Sequence, residues 1–295
     1  MQSNRRRINR VFTCQADVRI DSLVPSGQKE YSLPLSKLAL QDIRSLLTRK
    51  GRNRRQEFLA EGIRLMEEAL RHRYRPTNLY FSQSLLSERG EKLVEAYRRA
   101  RVEMHEIPAR QLEAISDTKT PQGVVGRFGT PQSTLEQLYR PETRKLLLCE
   151  NIGDPGNLGT LIRSALAFEM ELVITIGTSA ELYSPKVVRS SAGAVFGIGM
   201  VHTTWSEVKR LRKSLGTALV AADLSASEPV ERLRSLAEDR GVMLAVGSES
   251  TGLSEELIAQ ADVCVRIRHS RSVESLNAAV AGSLLMRELY QESSP

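Results

Sequence analysis

The sequence of residues 145–163 is KLLLCENIGDPGNLGTLIR, in which an apolar run leads through a glycine-containing loop into a helical pattern. The run from Lys145 to Cys149 is short and almost wholly apolar, which is typical of a strand buried on both faces of a sheet. Helical periodicity follows from Leu158 to Phe168, and a second apolar run covers Leu172 to Ile176. A strand, a helix and a strand in succession predict a parallel sheet with helices on its faces.

The same alternation continues downstream and defines a C-terminal α/β domain, residues 145–295. Further strands are predicted at 199–202, 217–221, 242–246 and 263–267, and helices at 205–215 and 276–290. In open parallel sheets the ligand site lies beyond the carboxyl ends of the strands. We therefore expect a site where the loops after Cys149, Val246 and Ile267 meet.

Residues 36–128 predict a second, smaller α/β domain, preceded by a flexible extension (residues 1–35) and followed by a linker (residues 129–144). The expected elements are a short helix from Leu38, a helix with an apolar face from Phe58 to Leu70, a helix at 90–100, and strands at 78–81, 102–107 and 123–128. Between the first two helices we predict a glycine-containing loop with no acid nearby. Its basic residues form a candidate phosphate-contacting patch, with a merely solvated charged loop as the alternative: Arg44, Arg49, Lys50, Arg52, Arg54 and Arg55.

Composition favours a polyanionic partner. Lys and Arg number 42 against 35 Asp and Glu, a formal net charge of +7, although a basic protein without such a partner stays possible. The three cysteines, Cys14, Cys149 and Cys264, fit no zinc-ligand spacing, so neither a metal site nor a disulfide is predicted. We find no apolar stretch of membrane-spanning length and no secretory signal. The expected location is cytoplasmic, unless the arginine-rich start is an organelle-targeting signal.

Three loops carry the candidate chemistry, and each has a plain structural alternative. The first contains glycines at 153, 156 and 159, which is not the dinucleotide-binding pattern, and Asn157 or Gly159 in it could simply cap a helix. The second loop is VGSESTGL (246–253), an ordinary turn when taken alone. The third is IRHSRSVESLN (267–277), in which Ser275 or Asn277 could be an N-cap, and it precedes a helix of small residues suited to close packing.

In combination and order, these loops resemble the SpoU/TrmH family of RNA ribose methyltransferases, part of the knotted SPOUT superfamily. The resemblance covers most of residues 145–290. Its motifs stand here as Asn157-x-Gly159-x-x-x-Arg163, Gly247-x-Glu249-x-x-Gly252-Leu253 and Ser275-Leu276-Asn277. The smaller domain resembles the family's ribosomal-protein-like substrate-binding domain, through Phe58-Leu59-Ala60-Glu61-Gly62.

The resemblance implies a deep trefoil knot, S-adenosylmethionine as cofactor, a homodimer formed through the C-terminal domain, and no metal. It also implies methylation of a ribose 2′-hydroxyl, most often in large-subunit ribosomal RNA of the 23S type. Transfer RNA as substrate, or a non-catalytic RNA-binding or ribosome-assembly role, are the alternatives. By position, Gly247, Ile267 and Leu276 would bind the cofactor. The implied catalytic residues are Arg163, Asn157, Glu249, Ser275 and Asn277.

Two points qualify the resemblance. The family commonly has Ile-Pro-Met where this chain has Ile267-Arg268-His269, and the missing proline would have stiffened the cofactor loop. The family's motif-one arginine is favoured as the base, but a guanidinium stays protonated in almost every protein setting. For Arg163 we therefore expect a phosphate-clamping and charge-stabilising role.

Overall fold

The computed structural model describes residues 34–290, apart from 141, 224, 225, 227, 231 and 271. These residues form two compact units whose boundary lies between Gly129 and Thr130. Most of the predicted N-terminal extension, residues 1–33, lies outside the described residues. No helix in the described part of the chain is long and apolar enough to span a bilayer.

The N-terminal unit is a mixed four-stranded sheet in the order β1-β4-β2-β3. Strands β1 and β2 run antiparallel to β4, and β3 runs parallel to β2. The side chains of Leu46, Leu59, Tyr80 and Leu112 share one of its buried clusters. The elements are β1 (Glu57–Glu61), β2 (Asn78–Phe81), β3 (Glu103–Glu106), β4 (Val124–Gly129), α1 (Lys37–Ser45), α2 (Arg49–Arg55), α3 (Ile63–Arg71), α4 (Glu88–Arg99) and α5 (Ala109–Ile115).

The predicted helix from Phe58 to Leu70 is wrong over its first part. Phe58, Leu59 and Ala60 belong to β1, and only the residues from Ile63 onward are helical. Both faces of β1 are covered, since Phe58 stacks on Phe128 with ring centroids 5.4 Å apart while Leu59 packs in the cluster with Leu46. Strand burial on both faces removes the alternation that would have distinguished it from a helix. Gly62, with φ of 100°, separates the two elements.

The predicted basic loop is also wrong, because residues 49–55 form helix α2. Thr48 caps it by accepting a hydrogen bond from the Gly51 N–H at 3.2 Å. The Arg52 side chain is buried, with 6% exposure, and donates to the Leu46 carbonyl at 2.8 Å, so it holds the fold rather than facing a partner. An acid is also near, since Arg55 pairs with Asp42. The exposed members of the predicted patch are Arg44, Arg49, Lys50, Arg54 and Arg55.

The C-terminal unit is a seven-stranded sheet in the order β7-β6-β5-β10-β8-β11-β9. Every pair of neighbouring strands is parallel, which confirms the predicted parallel α/β fold. The strands are β5 (Lys145–Glu150), β6 (Leu172–Ile176), β7 (Gly199–His202), β8 (Ala218–Ala222), β9 (Glu228–Pro229), β10 (Val242–Val246) and β11 (Val263–Arg266). The helices are α6 (Leu135–Leu138), α7 (Pro155–Ala167), α8 (Pro185–Ser190), α9 (Trp205–Leu215), α10 (Arg232–Asp239), α11 (Glu255–Gln260) and α12 (Ala278–Leu289).

Small residues let helix α7 approach both α8 and α12 closely. A methyl group at Gly282 of α12 would lie 2.4 Å from Leu161 Cδ2 of α7. Next to this contact, the hydroxyls of Ser164 on α7 and Ser283 on α12 are hydrogen-bonded at 2.7 Å. On the side of α8, a methyl group at Gly159 would lie 2.5 Å from Ser190 Cβ and 2.8 Å from the Val187 carbonyl oxygen. The small-residue helix predicted from the sequence therefore packs as expected.

Gly159→Ala should lower the free energy of unfolding of the C-terminal unit by roughly 1–2 kcal/mol. Overpacking against a backbone oxygen typically costs about 1–3 kcal/mol, and the better helix propensity of alanine offsets only about 1 kcal/mol of it. Urea unfolding followed by the fluorescence of Trp205, the single tryptophan, measures the change. Gly153→Ala is the matched control, because a methyl group there meets nothing within 4 Å. Equal stability of the two variants would contradict the packing argument.

Candidate active site

The loops after β8, β10 and β11 surround one cavity of about 370 Å³, together with the start of α12. The strands are neighbours in the sheet, so their carboxyl ends meet at one edge, as the fold class predicts. Of the three loops expected there, those after Val246 and Ile267 line the cavity, whereas the loop after Cys149 does not. Five of the residues predicted from the sequence lie in its wall: Gly247, Glu249, Ile267, Ser275 and Leu276.

The loop after β10 is a tight turn that depends on glycine. A methyl group on Gly247 would lie 2.2 Å from the carbonyl carbon of Gly252, so any side chain there would break the turn. The turn is closed by a hydrogen bond of 2.9 Å from the Gly252 N–H to the Ser248 carbonyl, and Gly252 itself has φ of 66°. Glu249 lies between these two glycines and faces the cavity.

Glu249, Asn157 and Asn277 form a hydrogen-bonded group that we call the carboxylate–amide cluster. Asn157 Nδ2 donates to Glu249 Oε1 at 2.8 Å, and Asn277 Nδ2 donates both to Asn157 Oδ1 at 3.0 Å and to Glu249 Oε1. The backbone N–H of Ala278 also donates to Glu249 Oε1, at 3.3 Å. These donations orient both amides, because the carboxylate can only accept. The cluster thus joins one residue from each sequence motif.

Helix capping explains how two members of the cluster are placed. Asn277 is the N-cap of α12, since its Oδ1 accepts from Ala279 N at 3.0 Å and from Val280 N at 3.2 Å. Its amide nitrogen remains available for Glu249, so Asn277 both caps α12 and belongs to the cluster. Capping by Asn157 or Gly159 is wrong, because α7 is capped by Asp154, which accepts from Asn157 N at 2.9 Å.

Asp154 is also fixed by charge. The backbone N–H of Asn157, followed by the ammonium of Lys186 at 3.1 Å, lowers the pKa of this carboxyl below its usual value. Asp154 therefore stays ionised while capping α7, where a negative charge is favourable. This cap determines where Asn157 stands in the first turn of α7.

Arg163 stands apart from the cluster. It is exposed on α7, and among the described residues it has no hydrogen-bonding or ionic partner. It is not part of the cavity wall. Its guanidinium is therefore available to an anionic ligand that the protein itself does not supply.

Two residues of the cavity wall, Asp223 and His269, were not predicted as site residues. Asp223 follows β8, and its backbone N–H donates to the Val265 carbonyl at 3.0 Å. Its place just after a predicted strand of the same sheet is the signal that could have identified it. His269 entered the sequence analysis only as part of the segment that departs from Ile-Pro-Met.

The two cysteines in the described ranges, Cys149 and Cys264, lie outside the cavity wall. Burial raises the pKa of the Cys149 thiol to about 12, which leaves it unreactive near neutral pH. Burial, and next the charge of Asp223, raises the pKa of Cys264. Within the described ranges, no group of three or more histidine, cysteine, aspartate or glutamate side chains is placed to hold a metal ion.

Comparison with known proteins identifies relatives over both units. A model of the SpoU rRNA Methylase family matches residues 144–287, and a model of the MRM3-like substrate binding domain matches residues 38–126. The chain is 27% identical to the 23S rRNA (guanosine(2553)-2'-O)-methyltransferase RlmP of Bacillus subtilis, over 85% of this chain and 95% of that protein.

Solved structures of methyltransferases also align with most of the chain. The SpoU methyltransferase AviRb from Streptomyces viridochromogenes, in complex with the cofactor AdoMet, aligns with a TM-score of 0.73 and 29% identity, over 85% of this chain and 96% of that one. A crystal structure of an RNA 2'-O ribose methyltransferase aligns with a TM-score of 0.73 and 30% identity, over 86% of this chain and 95% of that one.

Asn277→Asp should destabilise the C-terminal unit through Glu249 and not through the helix cap. Aspartate retains the capping oxygen, but it has no N–H to donate and sets a second carboxylate beside Glu249. In a Glu249→Gln background the new amide can donate to the aspartate, so the penalty should shrink. Because the pair is exposed, we expect a coupling free energy of roughly 0.5–1 kcal/mol that decreases with salt. Urea unfolding of the four proteins measures it, and additive single effects would contradict the cluster.

Proposed function

The chain belongs to the SpoU rRNA methylase family, and from that premise we propose that it transfers the methyl group of S-adenosylmethionine to a ribose 2′-hydroxyl of large-subunit ribosomal RNA. The observation that carries the proposal is the carboxylate–amide cluster. It joins Asn157, Glu249 and Asn277, which are 92 and 28 positions apart in successive pairs, and Glu249 is the member that lies in the cavity wall.

The cavity suits S-adenosylmethionine in size and chemistry. Its volume of about 370 Å³ falls within the usual range for small-ligand pockets, about 300–1,000 Å³. Apolar side chains, among them Leu253, Val265 and Leu276, form walls for a purine, and the bare backbone of Gly247 permits close approach. We propose that Gly247, Ile267 and Leu276 hold the adenosine part. When bound, the cofactor supplies a methyl group activated by a sulfonium centre.

The chain's own residues would orient the acceptor ribose. A ribose hydroxyl is a poor nucleophile near neutral pH, so alignment and stabilisation of developing charge must contribute. We propose that Glu249 and Asn157, held in one orientation by the cluster, hydrogen-bond the target nucleotide, with Ser275 beside them. The guanidinium of Arg163, which no described residue pairs with, would bind the phosphate of that nucleotide and stabilise the charge on the attacking oxygen.

The finer fold prediction, a deep trefoil knot, is supported by the strand order. Strand β11 lies between β8 and β9, which are consecutive strands along the chain, so the chain enters the sheet between two strands that it has already formed. Helix α12 follows β11 and packs on α7 and α10. We propose that the segment around the third motif passes through a loop of the chain, and that the threading forms the cofactor pocket.

We also propose that the protein is a homodimer through its C-terminal unit. Helix α12 presents two large apolar side chains to solvent one turn apart, Val280 with 48% and Leu284 with 47% exposure. Val273, just before this helix, is 50% exposed. Such a patch next to the cavity is suited to burial against the same face of a second copy.

The direct test is methyl transfer from labelled S-adenosylmethionine to 23S ribosomal RNA, with transfer RNA as the comparison, followed by mapping of the modified nucleotide. Arg163→Ala should abolish turnover while changing the dissociation constant of the cofactor little, because Arg163 lies outside the cavity. Calorimetry measures the latter. An active Arg163→Ala variant would remove this residue from the catalytic set, and absence of cofactor binding at millimolar concentration would favour a non-catalytic assembly role.

The basic residues of α2 should contribute to RNA binding by charge alone, with Arg52 as the exception. Lys50→Ala and Arg54→Ala should each weaken RNA affinity and reduce the slope of log affinity against log salt by about one. Arg52→Ala should instead lower the free energy of unfolding by roughly 1–3 kcal/mol, because it leaves the Leu46 carbonyl without its donor. Arg99→Ala on α4 is a control of equal charge. Identical salt slopes in all variants would remove α2 from the RNA-binding surface.

A further inference from the structure

His269 stands in the cavity wall at a position where the family commonly has the methionine of Ile-Pro-Met. The side chain is half-buried, and its Nδ1 lies 3.0 Å from the carbonyl oxygen of Ile267. A carbonyl oxygen can only accept, so Nδ1 must carry the proton of this hydrogen bond. In the neutral ring, Nε2 is then an unprotonated acceptor.

Within the described part of the chain this acceptor has no partner, because the bond to Ile267 is the one hydrogen bond of the His269 side chain there. Much of the surrounding wall is apolar, including Leu253, Val265 and Leu276. Once a ligand displaces water from such a cavity, an acceptor without a donor becomes costly, whereas one that meets a ligand donor adds affinity and selectivity.

The hydrogen bond to Ile267 also compensates for the missing proline. A proline restricts the loop through its own ring and offers no side-chain hydrogen bond, and a methionine sulfur is only a weak acceptor. Here the imidazole links residues 267 and 269 and so restrains the same three-residue segment. The Arg268-His269 pair therefore exchanges one way of ordering the loop for another, and the exchange adds a strong acceptor to the cavity.

We propose that His269 is a cofactor-specificity residue: its Nδ1–H braces the loop through the Ile267 carbonyl, and its Nε2 accepts a hydrogen bond from the adenosine part of the cofactor. The proposal rests on the proposed function, because it needs the cavity to be the S-adenosylmethionine site. Adenosine offers three donor groups, the exocyclic amino group and the two ribose hydroxyls. One of these is the partner of Nε2.

The test is calorimetric binding of S-adenosylhomocysteine to the full chain. His269→Ala should raise the dissociation constant about tenfold, the usual effect of one lost hydrogen bond. His269→Asn should show nearly the same loss, although its side-chain amide can replace Nδ1 as the donor to Ile267. Arg268→Ala, at the exposed neighbouring position outside the cavity wall, is the matched control and should bind as the unchanged protein does. Thermal unfolding without ligand establishes that each variant is folded.

Ligand analogues then identify the donor. Three analogues of S-adenosylhomocysteine are compared, each lacking one donor: the exocyclic amino group, the 2′-hydroxyl or the 3′-hydroxyl. For the analogue that lacks the partner of Nε2, the dissociation constant of His269→Ala divided by that of the unchanged protein should fall from about ten to about one. For the other two analogues this ratio should stay near ten. A ratio near ten for all three analogues, or full recovery of affinity in His269→Asn, would overturn the proposal. The role of His269 would then be limited to its hydrogen bond with the Ile267 carbonyl. If the unchanged protein binds no S-adenosylhomocysteine, the proposed function itself fails.

Discussion

One carboxylate oxygen, Oε1 of Glu249, connects the three segments on which the candidate site depends. It accepts from the Asn157 amide of α7, from the Asn277 amide, and from the backbone N–H of Ala278 at the start of α12. Each donor comes from an element whose position is determined elsewhere in the fold. The carboxylate therefore does not position these elements. It is fully hydrogen-bonded only when the first turns of α7 and α12 and the turn after β10 lie together, and so it stabilises that arrangement.

That arrangement requires the two helices to be close, and close packing in turn requires small residues. Gly282 admits Leu161, and the Ser164–Ser283 hydrogen bond joins α7 to α12 further along. Protein interiors pack densely, so a larger side chain at any of these positions would separate the two helices and move their first turns. Glycine and serine in the bodies of α7 and α12 thus contribute to the site although they touch none of its polar groups.

Much of the C-terminal unit follows from sequence pattern because its strands are buried on both faces. Three of them, β6, β7 and β10, have the predicted bounds, and the motif loops occur at the predicted edge. The N-terminal unit was less predictable at β1, because this buried strand is followed almost directly by the helical pattern of α3 and the two read as one apolar segment. Phe58, Leu59 and Ala60 form an apolar run too short to be assigned by period, and the stack of Phe58 on Phe128 depends on a partner 70 residues away.

The members of the carboxylate–amide cluster were predicted together from the sequence, but their hydrogen bonds were not. Residue types and order indicated Asn157, Glu249 and Asn277, but nothing local distinguishes an asparagine that only caps a helix from one that also donates to a distant carboxylate. Asn277 does both, because its two polar atoms face different partners, Oδ1 toward the first turn of α12 and Nδ2 toward Glu249. The capping interaction fixes which atom is the oxygen, and that choice leaves the amide N–H groups to orient Glu249. An N-cap residue thereby also orients the carboxylate of the cluster, which is why the capping and functional interpretations of such a position need not compete.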